Sequence, residues 1–492
     1  MMEQPLEADS SPKKWSYFAV AALSAFMATL DSSIVNVALP TLAAEFDVDV
    51  KVVAWVVQSY LLTTMALLLV SGRLLDLFGA RRVFVVGFSF FTVGSAFCAM
   101  SFSISMLILA RAFQGIGAAV LMGANQGLIA HSFPAARRGR VLGLIGTVVS
   151  IGLASGPPLG GLLIGLLGWR SIFYVNIPVG IWAILHAQAA LGSDSSPPPA
   201  SRQQIHDSKI EFDWPGAAMI VLGLAALFCG MHLGVGNGWE SAEAMILILV
   251  SLIILGFFLV HERRIVYPIV TLSIFRNRFF TQSCAAAFLA FLAMIAAVIL
   301  MPFYLQEVLR LTPQRVGLIM MALPLSMLLV APLAGLLSDR VGTRLPASFG
   351  LILVGAGLFW LQDLGPATGT QQVVWRLGLI GVGMGFFGSP NSNAILSSVP
   401  PSSVGIASGL SALMRTSGVA FGTAFSATLF TYFRDRASLV SAHATAALQG
   451  VDGERLLYIE GIVPVFGVAA FVMAANVLNS LLRGRPGRIA GA

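Results

Sequence analysis

Residues 72–81 read GRLLDLFGAR, and residues 335–344 read GLLSDRVGTR. Five of the ten positions agree: Gly72 with Gly335, Leu74 with Leu337, Asp76 with Asp339, Gly79 with Gly342 and Arg81 with Arg344. Further along, an offset of 266 residues pairs Asn125 with Asn391, Pro134 with Pro400, Gly139 with Gly405, Gly143 with Gly409, Gly152 with Gly418 and Gly156 with Gly422. Glycine matches alone are weak in a chain with 50 glycines, but a near-constant offset across two regions reads as a duplication. Parallel repeats of this kind suggest two bundles that rock around a site near the membrane midplane.

The segments around the repeat are apolar. Of 492 residues, 57% are hydrophobic and only 10% are charged, against about 25% charged in a typical soluble domain. So few charges cannot cover a soluble fold of this length, and the hydrophobic content excludes disorder. That content would fill about 14 spans of ~20 residues. Fourteen apolar runs are bounded by charges or Pro/Gly clusters, the first at 16–38 and the last at 457–482. The fold class expected is an all-α polytopic membrane protein with 14 transmembrane helices. Residues 1–191 form an N-terminal six-helix half. Residues 192–278 hold a Pro/Ser-rich cytoplasmic linker and two inserted helices, and residues 279–492 form a C-terminal six-helix half.

Basic residues orient the chain. With the N-terminus inside, 19 Lys and Arg fall on inside segments and 8 on outside ones, leaving Arg111 and Arg415 within spans. Both termini are therefore expected in the cytoplasm, with the chain in the cell membrane. Cys98, Cys229 and Cys284 stand alone in apolar runs and the six histidines are scattered, so no metal spacing appears. Catalytic and phosphate-binding motifs are likewise not visible, so no enzyme activity, cofactor, nucleotide or nucleic-acid partner is expected.

Four features carry candidate chemistry. The repeated loop offers Gly72, Asp76, Gly79 and Arg81, with Asp339 and Arg340 in its second copy, as a cytoplasmic gate whose charges pair with each other or with helix ends. Predicted helix 5 carries Gly152, Gly156, Pro157, Pro158, Gly160 and Gly161: the glycines allow close approach and the prolines remove backbone donors. Asp31 lies within helix 1, where a carboxylate is costly and is a candidate proton carrier. The repeat offset puts Met294 opposite it, so the acid is not part of the duplicated scaffold. Arg111, in helix 4, falls at a similar depth, and Gln114 and Asn125 share its face at helical spacing. An Arg111 near Asp31 in one state and far in another would couple protonation to rocking; a static buried pair is the structural alternative. Gln114 and Asn125, with Arg415, Asn36, Gln58, Asn391 and Asn393, are intramembrane polar groups for a substrate cavity or for bonding neighbouring helices.

The ordered set LDSSIVNVALP (30–40), GRLLDLFGARR (72–82), RAFQG (111–115), GLASGPPLGG (152–161), WRSIFYVNIPVG (169–180) and IASGLSALMRTSGVAFG (406–422) resembles the major facilitator superfamily, in particular its fourteen-helix drug/proton antiporter branch. That resemblance spans nearly the whole chain. It implies an antiport role for 152–161, proton coupling and cationic substrates for Asp31, and proton transfer for Arg111. The chain departs from the family's cytoplasmic signature in having Leu77 and Phe78, not a basic residue, after Asp76. Residues and resemblance together lead to a proton-coupled exporter of amphipathic, cationic or lipophilic compounds, a multidrug efflux type working by alternating access. Its partners would be a small-molecule substrate, protons and the lipid bilayer. A dedicated exporter of one endogenous metabolite, siderophore or lipid would have the same fold, and a non-transporting membrane sensor is the reading from another class.

Overall fold

The computed structural model describes residues 12–133, 135–191, 213–237, 241–265, 272–399, 404–444 and 451–483. Among these residues there is no strand, and fourteen helical passes follow one another. The first six are α1 (Pro12–Phe46), α2 (Val50–Phe78), α3 (Ala80–Ala99), α4 (Ile104–Ser132), α5 (Ala135–Leu167) and α6 (Ser171–Ala190, broken at Val175). Two more are α7 (Trp214–Asn237) and α8 (Ala242–Glu262). The last six are α9 (Arg278–Phe303, extended by a wider turn at Tyr304–Val308), α10 (Pro313–Met320 and, past Met321, Ala322–Val341), α11 (Arg344–Trp360), α12 (Thr370–Ser397), α13 (Val404–Ala444) and α14 (Val451–Leu481). Twelve of these passes are long and apolar enough to cross a bilayer over their described residues. In hydrocarbon every backbone N–H and C=O must be satisfied within its own segment, so apolar runs of this length fold as helices.

Several helices outrun the hydrophobic segments that predict them. α1 passes through Pro40 to Phe46, and α13 continues from the expected end near 430 to Ala444, taking Arg434 and Arg436 into the helix. Hydropathy marks the hydrocarbon core, whereas a helix can extend into the polar interface without cost to its backbone. The linker at 192–212 lies outside the described residues.

Corresponding pairs make the closest packing in the two halves. α2 and α3 pack on α4, and α1 packs on α5; likewise α10 and α11 pack on α12, and α9 packs on α13. The repeated loops share a backbone: Gly79 (φ 78°, ψ 156°) and Gly342 (φ 83°, ψ 166°) both take the positive φ that favours glycine. α7 packs mainly on α8 and also touches α2. His261 and Asp213 meet at 2.7 Å and tie the end of α8 to the start of α7.

The halves meet most closely at the end of the bundle away from the chain termini. There Gln306 donates to the Val37 carbonyl at 3.2 Å, and Arg434 pairs with Asp49 at 3.2 Å. Towards the opposite end, a methyl group built on Gly146, Gly388 or Gly409 would meet no atom within 4 Å. The polar contacts Gln306–Val37 and Arg434–Asp49 join the halves at the first of these ends, called the sealed end below.

Candidate functional site

Small residues bring the first half's helices within reach of one another. A Cβ on Gly94 of α3 would collide with the backbone of Gln114, and one on Gly115 of α4 would press on the Tyr60 carbonyl of α2. Glycine at both places lets α4 sit deep between α2 and α3, with Arg111 and Gln114 turned towards α1.

Asp31, Arg111, Gln114 and Ser95 are fully buried there, and Asn176 and Tyr60 nearly so. The Arg111 Nη1 donates to Asp31 Oδ2 at 2.5 Å and to Gln114 Oε1 at 2.6 Å. Its Nε donates to the Val56 carbonyl at 3.0 Å, and the guanidinium lies 4.2 Å from the Tyr60 ring centroid. Gln114 Nε2 donates to Asp31 Oδ1 at 2.9 Å and to Ser95 Oγ at 2.7 Å. Asn176 Nδ2 completes the set, donating to Asp31 Oδ1 at 2.7 Å. Three N–H donors thus converge on one carboxylate, an arrangement that satisfies its ionised form. Only a low-dielectric interior makes such contacts strong, and the same interior makes an unpaired charge costly. Asp31 is closed off from solvent here, and both of its carboxylate oxygens are occupied by donors.

The depth estimate from helix rise thus put Asp31 and Arg111 at the same level, and the structure brings them into contact. Gln114 belongs to this cluster and not to an open cavity wall. Asn125 accepts from Ser24 Oγ at 2.8 Å, joining α4 to α1. Asn36 and Gln58 are buried, and among the described residues Asn36 Oδ1 has no hydrogen-bond partner. Sequence reasoning missed Asn176, Ser95 and Tyr60. Asn176 sits just past the break in α6, in the run YVNIP, where a polar residue reads as a loop; Ser and Tyr are too common in spans to stand out.

The glycines of α5 serve two partners. A Cβ at Gly152 would collide with Thr29, at Gly156 with Ser33 and at Gly160 with Ile34, so this face is pressed onto α1. One at Gly161 would strike the Pro313 carbonyl, and one at Gly317 would strike the carbonyl of Pro157. The Gly–Pro segment therefore runs along the seam with α10 at the sealed end, with Pro157 buried and Pro158 half-buried.

The polar candidates of the second half separate. Asn391 donates to the Ser283 carbonyl at 3.0 Å and accepts from Arg483 Nη2 at 2.7 Å, so it ties three helices together and does not face a cavity. Asn393 is exposed. Arg415 is also exposed, mid-span on α13. Arg483, counted among the inside charges, is fully buried, and Arg376, counted among the outside ones, is buried in α12. Burial pushes Arg483 down to about 10, and the nearby Arg344 adds to this while Cys284 opposes it. In the gate loops Gly79 is buried and Arg81 and Arg340 are exposed; Gly72, Asp76 and Asp339 lie outside the residues whose side chains are described.

A family model of the Major Facilitator Superfamily matches residues 21–423. The riboflavin transporter RibZ of Clostridioides difficile is 35% identical over 444 residues, covering 89% of this chain and 93% of that protein. The multidrug resistance protein Stp of Mycobacterium tuberculosis is 33% identical over 403 residues, covering 82% of this chain and 73% of Stp. Among solved structures, a bacterial homologue of the human lysosomal transporter Spinster, in an inward-facing and occupied conformation, superposes with a TM-score of 0.67. It is 16% identical and covers 97% of this chain and 98% of that one, a likeness of fold.

Proposed function

The chain belongs to the Major Facilitator Superfamily, and on that premise we propose that this transporter is a proton-coupled antiporter that exports amphipathic, lipophilic compounds from the cytoplasm by alternating access. The observation that carries the reading is the buried Asp31–Arg111–Gln114–Asn176 cluster, a carboxylate and its cation held in the interior of one half. In our reading the halves are residues 1–191 and 279–492, the linker and inserted helices are residues 192–278, both termini are cytoplasmic and the sealed end faces outside.

The cycle follows from the electrostatics. With the halves closed outside, Arg111 neutralises Asp31 and the loose inner end admits cargo. Opening the seam between α5 and α10 draws the helices apart and gives Asp31 access to the acidic side. A proton then replaces Arg111 as the carboxylate's partner. Return to the inward state restores the ion pair and expels the proton inside. Because the same carboxylate cannot hold the proton and Arg111 together, proton entry and the reset are linked. The exposed Arg81 and Arg340, with Asp76 and Asp339, would latch the inner ends in the outward state.

The test is transport into or out of proteoliposomes under an imposed pH gradient, with intact protein and Asp31→Asn side by side. We expect gradient-driven dye movement by the intact protein and at least a tenfold loss in the variant. Equal transport with no gradient, or a variant that performs as the intact protein does, rejects proton coupling and leaves Asp31–Arg111 as a structural pair.

The likeness to RibZ favours a second reading, a dedicated exporter of one endogenous metabolite. Competition among chemically unrelated dyes separates the two: mutual competition supports multidrug export, and transport of a single ligand class supports the dedicated role.

A further inference from the structure

The duplication makes α10 the counterpart of α2, and α13 the counterpart of α5, at offsets of 263 and 266 residues. The bundle therefore has two equivalent side seams, α2 with α13 and α10 with α5. They are packed differently. On α2, Ala54, Gln58, Leu61, Met65 and Leu68 recur at helical spacing, and all of them are buried. Met65 meets Ser417 of α13 at 2.8 Å, so this stripe faces the other half. The same stripe on α10 is Gly317, Met321, Pro324, Leu328 and Ala331. Gly317 is buried against the Pro157 carbonyl of α5, but the other four are only half-buried.

The α5 side of that seam is open as well. Ser150 and Gly146 lie about two and three turns inward of Pro157 on one stripe. Ser150 is half-buried, Gly146 is exposed, and a Cβ on Gly146 would meet no atom within 4 Å. From Leu144 to Ile151 no residue is buried. Their counterparts on α13 run from Leu410 to Ser417, and there Leu410, Ala412, Leu413 and Ser417 are buried. Burial of α5 resumes at Gly152, where its glycines begin to meet α1 and α10.

The inserted helices lie on the closed seam. α7 packs on α2 and also reaches α13, and α8 packs behind it. The first turns of α7 are anchored: Ala217 and Ile220 are buried, and Ile220 belongs to the continuous apolar core. The pair is held close, because a Cβ on Gly223 would collide with Leu255 of α8 and one on Gly230 with Ile248, and Ser251 donates to the Gly223 carbonyl at 2.7 Å. Among the described residues neither inserted helix packs comparably on α5 or α10. The open seam is also uncharged: residues 144–151 and 321–337 hold no Asp, Glu, Lys or Arg, and Leu144, Ile151, Leu329 and Leu333 are exposed. An apolar gap between two outer helices suits a solute already dissolved in the bilayer better than one arriving from water.

We propose that lipophilic cargo enters sideways from the inner leaflet, between α5 and α10, and that the α7–α8 pair closes the equivalent entry between α2 and α13. This rests on the exporter reading, which supplies the orientation and the lipophilic cargo. The rocking that opens the outer end brings the inner halves of α5 and α10 together, so cargo taken from the leaflet is cut off from it before release outside.

The experiment is stopped-flow binding of Nile red, a neutral dye that partitions into bilayers, to the full chain in phosphatidylcholine nanodiscs. Intact protein, Gly146→Ala and Gly146→Trp are compared, and their melting temperatures are recorded to show that each is folded. A bulky side chain in an entry slows arrival and departure alike. We expect Gly146→Trp to lower both rate constants about tenfold with Kd unchanged, and Gly146→Ala to bind as the intact protein does. In parallel, nitroxides are attached at Gly146→Cys and, separately, at Ala412→Cys, each in a Cys229→Ser background. Their collisions with oxygen, which concentrates in lipid, and with a water-soluble nickel chelate are then measured. Oxygen should dominate at position 146, and both reagents should be weak at position 412. No saturable binding of Nile red, unchanged rates in a folded Gly146→Trp, a change in Kd alone, or nickel dominating at position 146 overturns the proposal. Failure of the exporter reading is separable: gradient-driven transport is then absent while the dye kinetics and the contrast between positions 146 and 412 remain.

Discussion

In the first half Arg111 is buried against Asp31, Gln114 and the Val56 carbonyl, with the Tyr60 ring beneath it. In the second half Arg483 is equally buried, but among the described residues its side-chain hydrogen bond goes to neutral Asn391, and its Nε and Nη1 have no partner. Both are closed off from solvent, and only one is neutralised. The difference separates a buried charge held by a carboxylate from one that, among the described residues, is held by a neutral amide. Asp31 needs Arg111, because either charge left alone in the interior would be prohibitive. Among the described residues no acid pairs with Arg483, and burial works against its charge. In our reading the moving charge belongs to the first half and the second half is the stator and cargo wall.

Removing each arginine is the strongest way to break this comparison. Arg111→Ala leaves the Asp31 carboxylate buried and unpaired, which should cost about 3–5 kcal/mol. The measurement is thermal melting of the detergent-purified protein, and a shift no larger than that of a surface variant would mean that Asp31 is not ionised in this state. Asn176→Ala removes one of three donors and should cost about 1–3 kcal/mol by the same measurement, with the gradient-driven rate reduced as the carboxylate is held less firmly. If its melting temperature is unchanged, Asn176 is peripheral and the cluster reduces to Asp31, Arg111 and Gln114. Arg483→Met should have the smallest effect, within about 1 kcal/mol and in the stabilising direction, because an apolar side chain of similar volume replaces an uncompensated charge. A large loss there would show that Arg483 has an anionic partner, and the contrast between the halves would disappear.

Much of this arrangement was legible in the residues. Asp31 and Arg111 stand out because a charge inside an apolar run is expensive, and helix rise alone placed them at one depth. Their partners were not legible. Asn176 lies 145 positions from Asp31, and nothing local distinguishes it from a residue that ends a helix. Arg483 follows the last apolar run directly, where a basic residue ordinarily marks the inner membrane surface; its burial accompanies the packing of α14 on α9 and α11 and the hydrogen bond to Asn391 of α12. Asn391 and Gln114 were read as cavity groups because polarity within a span is visible in the sequence. Whether that polarity is spent on a neighbouring helix or left facing a crevice is not.

The sequence by itself determined the number of passes, their order and the duplication, because hydropathy acts locally and each segment in lipid must satisfy its own backbone. It also marked Asp31 and Arg111 as interior charges, though not Arg376 or Arg483. The tertiary structure alone decided what those charges do. Arg111 and Arg415 carry the same signal, an arginine in the middle of an apolar helix, yet one is buried against a carboxylate and the other is exposed. That outcome depends on which helix faces each side chain and how closely glycines let it approach, and these are properties of packing between segments far apart in the chain.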